Sequence, residues 1–249
     1  VYDAGPCHNY HIFAMEEHID RFFNSAGLMK IRMPVTKQEL GSLLQELVLK
    51  MDTGDLFVYV QVTRGTGPRN HVFTEGCGNL WITLTPAGVL DGTVPLQLIT
   101  VEDTRFFHCN VKTLNLLPSV LASEKAKQAG CQEAIFYRPG GRVTECAHSN
   151  VHIIQDGMLR TAPTDNLILP GIARAHLIRM CKKLEIPVNE TPFTLDDLFS
   201  AEEVLVTSSS NFCLHADTID GKTVGGRQPE LLERLRSALV AEFYAATEN

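Results

Sequence analysis

The chain has 249 residues, 44% of them apolar and 20% charged, with a formal charge of −7 and a pI near 5.7. That composition suits a folded protein with a sizeable core, and its acidic balance argues against nucleic acid or an anionic membrane as the main partner. No apolar run is long enough to span a bilayer, and seven scattered cysteines without a C-x-x-C pair read as reduced thiols of a cytoplasmic protein.

The chain starts at Val1-Tyr2 without an initiator Met, so the opening of the fold is expected to be incomplete. Weak alternation predicts a strand at 11–15, followed by a helix over 16–27 with Gly27 as its C-cap. Thr36 and Glu39 form a capping-box pair, ahead of an apolar stripe of Leu40, Leu43, Leu44, Leu47 and Val48. Leu56–Thr63 and 80–84 alternate as strands, separated by a Gly- and Pro-bearing loop from Arg64. The stretch 85–93 carries Pro, Gly and Asp and reads as a linker region. After it the rhythm changes. A strand is predicted at 94–101 and a helix at 115–129 ending at Gly130. Short strands follow at Glu133–Tyr137, 143–145, 151–154 and Met158–Thr161, with Pro139-Gly140-Gly141 and Asp156-Gly157 as turns. A helix over 171–184, a buried strand over Glu203–Thr207 and an amphipathic helix over 229–244 complete the chain. Two mixed blocks predict an α+β protein: a small N-terminal α/β domain over 1–86, a linker over 87–93 and a larger domain over 94–249.

Periodicity reaches no further than that class, but local strings do. EEHIDRF (16–22), GPRNH (67–71), NVKTLNLL (110–117), VTECAHSNV (143–151), LPGIAR (169–174) and VTSSSN (206–211) occur in this order. The chain resembles the fold-type IV pyridoxal-phosphate enzymes over essentially its whole length, and most closely the D-amino acid aminotransferases among them. The resemblance implies a two-domain architecture whose larger domain is β-barrel-like, with pyridoxal 5'-phosphate as cofactor. It also implies a homodimer, because the family's P-R-x-H loop reaches into the neighbouring subunit's site.

By residue type alone Lys112 is a surface lysine. Its setting between Val111 and Leu114 is apolar, however, and desolvation favours the neutral, nucleophilic amine. The resemblance makes Lys112 the residue that bears the cofactor as a Schiff base and then shuttles the substrate proton. It gives Glu145 the role of partner to the pyridine nitrogen. For the phosphate it implies Arg21, the helix opening at Ile172 and Ala173, and the hydroxyls of Ser208 and Ser209. Left to itself, Arg21 reads as an exposed helix arginine pairing with Glu17, while helix-start N–H groups suit an anion. Ala173 stands where the family commonly has a hydroxyl residue, which removes one hydrogen bond. Tyr2, Arg69 and His71 match the trap for a D-substrate's carboxylate.

His148 and His152 read as sharing one strand face, but nothing supplies further ligands, so no metal site is expected. His148 could instead touch ring or substrate. The function implied is transamination between a D-amino acid of D-alanine or D-glutamate type and a 2-oxo acid. The alternatives are an aminodeoxychorismate lyase, a branched-chain L-amino acid aminotransferase, or a silent cofactor-binding relative.

Overall fold

Two units divide the 249 residues, of which the computed structural model describes 1–73, 75–88 and 94–248. The first is Val1–Val89 with Val111–Asn115 and Phe243–Asn249; the second is Leu90–Asn110 with Leu116–Glu242. Most of the linker read at 87–93 lies outside the described residues. Among those described, no helix is long and apolar enough to cross a membrane.

The first unit contains β1 (Tyr2–His8), β2 (His11–Ile12), α1 (Met15–Leu28), α2 (Lys37–Val48), β3 (Leu56–Thr63) and β4 (Asn79–Pro86). Its sheet runs β2-β1-β3-β4, with every neighbouring pair antiparallel. Strict alternation in β3 buries Leu56, Val58, Val60 and Val62 against Phe22 of α1 and Leu40 of α2, so one apolar face makes this core. Thr36 caps α2 as expected: its hydroxyl accepts from the Glu39 N–H at 3.2 Å, and its own N–H donates to the Glu39 carboxylate at 2.7 Å.

Two local expectations need correction. The strand predicted at 11–15 shrinks to His11–Ile12, and the long strand is Tyr2–His8, whose Gly5 and Pro6 hide it from propensity. Pairing along β3, from Tyr2 opposite Gln61 to Cys7 opposite Leu56, overrides that local cost. Gly27 lies inside α1; the cap is Met29, and Lys30 takes the left-handed conformation beyond it (φ 52°).

The second unit holds β5 (Leu96–Glu102), α3 (Leu117–Gln128), β6 (Glu133–Tyr137), β7 (Val143–Cys146), β8 (Asn150–Gln155) and β9 (Met158–Thr161). Then come α4 (Ile172–Lys183), β10 (Val188–Asn189), α5 (Leu195–Ser200), β11 (Glu203–Thr207), β12 (Leu214–Ile219), β13 (Lys222–Thr223) and α6 (Pro229–Thr247). Its sheet runs β10-β9-β8-β11-β12-β5-β6-β7, with β13 paired to β12. The pairs β5–β6, β5–β12 and β9–β10 are parallel and the rest antiparallel, which is the mixed α+β class read from the sequence. Asp156 and Gly157 both adopt positive φ (52° and 68°) in the two-residue turn that sets Gln155 opposite Met158. Helix α5 escaped the sequence reading because it is six residues long, although its Thr194–Asp197 capping box is complete.

His152 sits at the centre of β8, fully buried, with Nδ1 2.8 Å from the Thr161 hydroxyl and Nε2 2.8 Å from that of Thr207. Burial, helped by the charge of Arg174, pushes its pKa down to about 3. The folded value lies below the unfolded one of about 6.5, so the unfolded chain takes up the proton first. Stability from this group is therefore complete above about pH 6.5 and falls as pH drops from there toward 3. In a His152→Asn variant, the loss of unfolding temperature between pH 7 and pH 4 is expected to be smaller than in the parent protein. An equal loss in both would rule out this residue as its source.

Candidate active site

In the first unit the chemistry gathers where α1 crosses β1. The inner face of β1 carries Asp3, Gly5 and Cys7, while His18 and Arg21, three apart on α1, share one helix face. Gly5 is required there, since a Cβ on it would lie 2.7 Å from the His18 Nε2. Arg21 is buried, not exposed as its helix position suggested, and its Nε and Nη2 donate to the two oxygens of Asp3, each at 2.8 Å. The Asp3 carboxylate also meets the His18 Nδ1 at 2.7 Å. Burial opposes the charge on Asp3, but hydrogen bonds from Arg21 and His18 outweigh it and hold the carboxyl well below the usual range. Burial, with Arg21 and Lys112 adding to it, pushes the His18 imidazole down against the pull of Asp3.

Lys112 belongs to the same unit. Its flanking Val111 is buried in the core, its N–H donates to the Ser25 hydroxyl at 3.2 Å, and its carbonyl accepts from the Tyr2 N–H at 3.0 Å. These bonds tie the segment to both α1 and β1. The half-buried side chain holds its amine 4.6 Å from the centre of the Tyr2 ring, which stacks on Tyr59 at 5.6 Å. Arg69 and His71 lie exposed in the segment between β3 and β4, with Val72 and Phe73 also 69% and 60% exposed.

The second unit brings together a different set. Glu145, on the wholly buried β7, receives Nη1 of Arg105 on one oxygen. Its other oxygen accepts the Asn150 amide and the Leu169 N–H, each at 3.0 Å. Arg105 also grips Asp103 through Nε and Nη2 at 2.9 Å and stacks over Phe136 at 4.6 Å. Burial raises Asp103, but Arg105 outweighs it and the carboxyl stays low. The same acids hold the buried guanidinium protonated against its desolvation. Neither Asp103 nor Arg105 carries a motif in the sequence; the only trace is the acid-x-Arg spacing just after β5.

Gly171 caps α4 without a side-chain bond, so the helix start keeps backbone N–H groups at Ile172 and the buried Ala173 for an anion. A Cβ at Gly171 would come within 2.0 Å of the Asn150 Oδ1. Asn150 cannot easily yield, because its amide also bonds the Leu169 carbonyl at 3.0 Å. Gly171→Ala is therefore expected to push Asn150 off Glu145 and to destabilise the fold by about 1.5–3 kcal/mol, the loss of roughly one hydrogen bond to a charged group. Thermal unfolding measures it, and an unchanged unfolding temperature would refute the coupling. Ser208 and Ser209 follow β11 half-buried, with the Ser208 hydroxyl 3.3 Å from that of Ser210. The side-chain oxygen Oδ1 of Asn211 just beyond is buried without a hydrogen-bond partner. A buried carboxylate with fixed orientation, an uncapped helix start and clustered hydroxyls form a donor set that fits a pyridine ring bearing a phosphate.

The two histidines do not share a strand face. His148 precedes β8, is exposed, and places Nδ1 2.9 Å from the Ser149 hydroxyl and 3.1 Å from the buried Glu133, whereas His152 points into the core.

The Amino-transferase class IV family matches residues 1–219. The chain is 39% identical over 253 residues to a D-alanine aminotransferase of Listeria monocytogenes, covering 99% of this chain and 87% of that protein. Its fold matches the branched-chain amino acid aminotransferase of Escherichia coli (TM-score 0.89, 23% identity, 100% of this chain and 87% of that one). It also matches a branched-chain amino acid aminotransferase of T.th. solved with pyridoxamine 5'-phosphate (TM-score 0.88, 24% identity, 100% and 85%). Fold, near-full-length likeness and family match agree, and the chain belongs to the class IV aminotransferases.

Proposed function

We propose that this enzyme moves an amino group between a D-amino acid and a 2-oxo acid, with pyridoxal 5'-phosphate held covalently on Lys112. The observation that carries the reading is the 39% identity, over nearly the whole chain, to a D-alanine aminotransferase. The Lys112 geometry supports it, with an amine resting on an aromatic face in a backbone segment tied down on both sides. The pyridoxamine 5'-phosphate solved with the second branched-chain relative supports the choice of cofactor.

When bound, the cofactor supplies an electron sink for the charge left as the substrate Cα–H bond breaks. The protein's part is to orient and to move protons. Lys112 would hold the cofactor by its aldehyde carbon, and its Nζ would take and return the proton of the substrate Cα. Glu145, kept in place by Arg105, Asn150 and the Leu169 N–H, offers a fixed carboxylate to the ring nitrogen. Arg21, the N–H groups of Ile172 and Ala173, and Ser208 with Ser209 hold the phosphate. Tyr2, Arg69 and His71 bind the substrate carboxylate and set its handedness. Arg69 and His71 come from an exposed segment flanked by exposed Val72 and Phe73, which suits burial against a second copy and hence a homodimer. The free state of all seven cysteines suits the cytoplasm.

D-alanine with 2-oxoglutarate is expected to yield pyruvate and glutamate, and L-alanine to yield none. Absence of pyruvate from the D-alanine reaction defeats the reading. Pyruvate from aminodeoxychorismate, or turnover of L-leucine alone, would point to the lyase or branched-chain activity instead.

A further inference from the structure

Asp3 and His18 take no part in the roles above, yet both are buried and both converge on Arg21. A guanidinium has five N–H donors in a rigid planar fork. Asp3 occupies the edge formed by Nε and Nη2, one oxygen to each at 2.8 Å, which fixes both the plane and the rotation of that fork. The carboxylate is itself fixed. Its Oδ1 accepts the Ala4 N–H at 2.8 Å and faces the His18 Nδ1 at 2.7 Å. His18 in turn is locked by the missing side chain at Gly5, whose Cβ would collide with its ring. The result is a chain of contacts from β1 through His18 and Asp3 to a single arginine on α1.

We propose that Asp3 and His18 are positioning residues that fix the Arg21 guanidinium for the phosphate dianion of the cofactor. The inference rests on the reading of Arg21 as a phosphate ligand. A carboxylate beside such an arginine has two opposed effects. Its charge repels the phosphate, while its bidentate grip holds the guanidinium in one orientation, so that phosphate binding costs little further side-chain freedom. The full burial of Asp3 and the near-full burial of Arg21 make the second effect the larger, since a buried guanidinium stripped of its partner will leave its position.

The test compares pyridoxal phosphate with pyridoxal, which lacks the phosphate, as ligands of the full-length protein stripped of cofactor. The readout is the ratio of the two dissociation constants, which a merely structural role would not move. Asp3→Asn is expected to weaken pyridoxal phosphate about tenfold and to leave pyridoxal unchanged, with Asp3→Glu closer to the parent. An unchanged ratio, or tighter pyridoxal phosphate from relief of repulsion, overturns the proposal. If Asp3→Asn does not fold, His18 decides. His18→Leu should lower the phosphate preference, while His18→Asn, which keeps an N–H near the Nδ1 position, should restore it; equal ratios in the two overturn the proposal. Arg21→Lys separates the two levels. If it leaves the ratio untouched, the phosphate reading of Arg21 fails and takes the inference with it. If it lowers the ratio while the Asp3 and His18 variants do not, only the positioning role fails.

Discussion

Replacing Lys112 with Ala is expected to lower D-alanine transamination by about three to four orders of magnitude, the scale of losing a positioned proton-transfer group together with a covalent anchor. The loss should be chemical and not structural. The two backbone bonds of residue 112, to the Ser25 hydroxyl and from the Tyr2 N–H, survive the substitution, and the buried neighbour Val111 keeps the segment in the core. What disappears is the amine over the Tyr2 ring. The unfolding temperature of the stripped protein should therefore stay within a few degrees of the parent, as for most changes at half-buried sites away from core packing. Added small amines should restore part of the activity by supplying the missing base. A variant that keeps even a tenth of the parent rate would remove Lys112 from the mechanism.

Arg105→Leu is expected to be the most destabilising single change near the site. The side chain is 9% exposed and serves two carboxylates at once, Asp103 at 0% and Glu145 at 7%. Removing it takes that cation from the buried Glu145 and leaves Asp103 paired only with Arg138, whose Nε is 3.2 Å away. The cost is about 3–5 kcal/mol, or roughly 6–20 °C in unfolding temperature for a protein of this size. The pH dependence gives a second signature. Asp103 has a folded pKa below its unfolded value, so its contribution is complete above about pH 4 and lost as pH falls through the folded value. The deficit of the variant should therefore narrow in acid. Arg105→Lys keeps the charge but not the fork, and should recover only part of the stability. A variant as stable as the parent at pH 7 would mean that the ion cluster contributes nothing net.

What the sequence reveals about these elements depends on how local their cause is. The Thr36–Glu39 box, the alternation of Leu56–Thr63 and the Asp156-Gly157 turn are short-range patterns, and the structure reproduces them. Strand Tyr2–His8 forms because Leu56–Thr63 offers it a partner more than forty residues away, which no local propensity reports. The same distance hides the supporting groups of the site. Lys112 and Glu145 stand in strings with a family likeness, whereas Asp3 meets Arg21 eighteen residues on and Arg105 meets Glu145 forty residues on. Those contacts come from folding, through a helix face laid on a strand and through the segment after β5 meeting β7, two places along in the sheet, and spacing in the chain does not encode them. Burial of Arg21 was hidden for the same reason, since its helix position alone places it in solvent.

The anchor can be found directly. Borohydride treatment of the loaded protein, followed by digestion and mass spectrometry, should locate a single pyridoxyl group on the peptide that contains Lys112. A pyridoxyl group on any other lysine, or none on a protein shown to be loaded, would contradict the account.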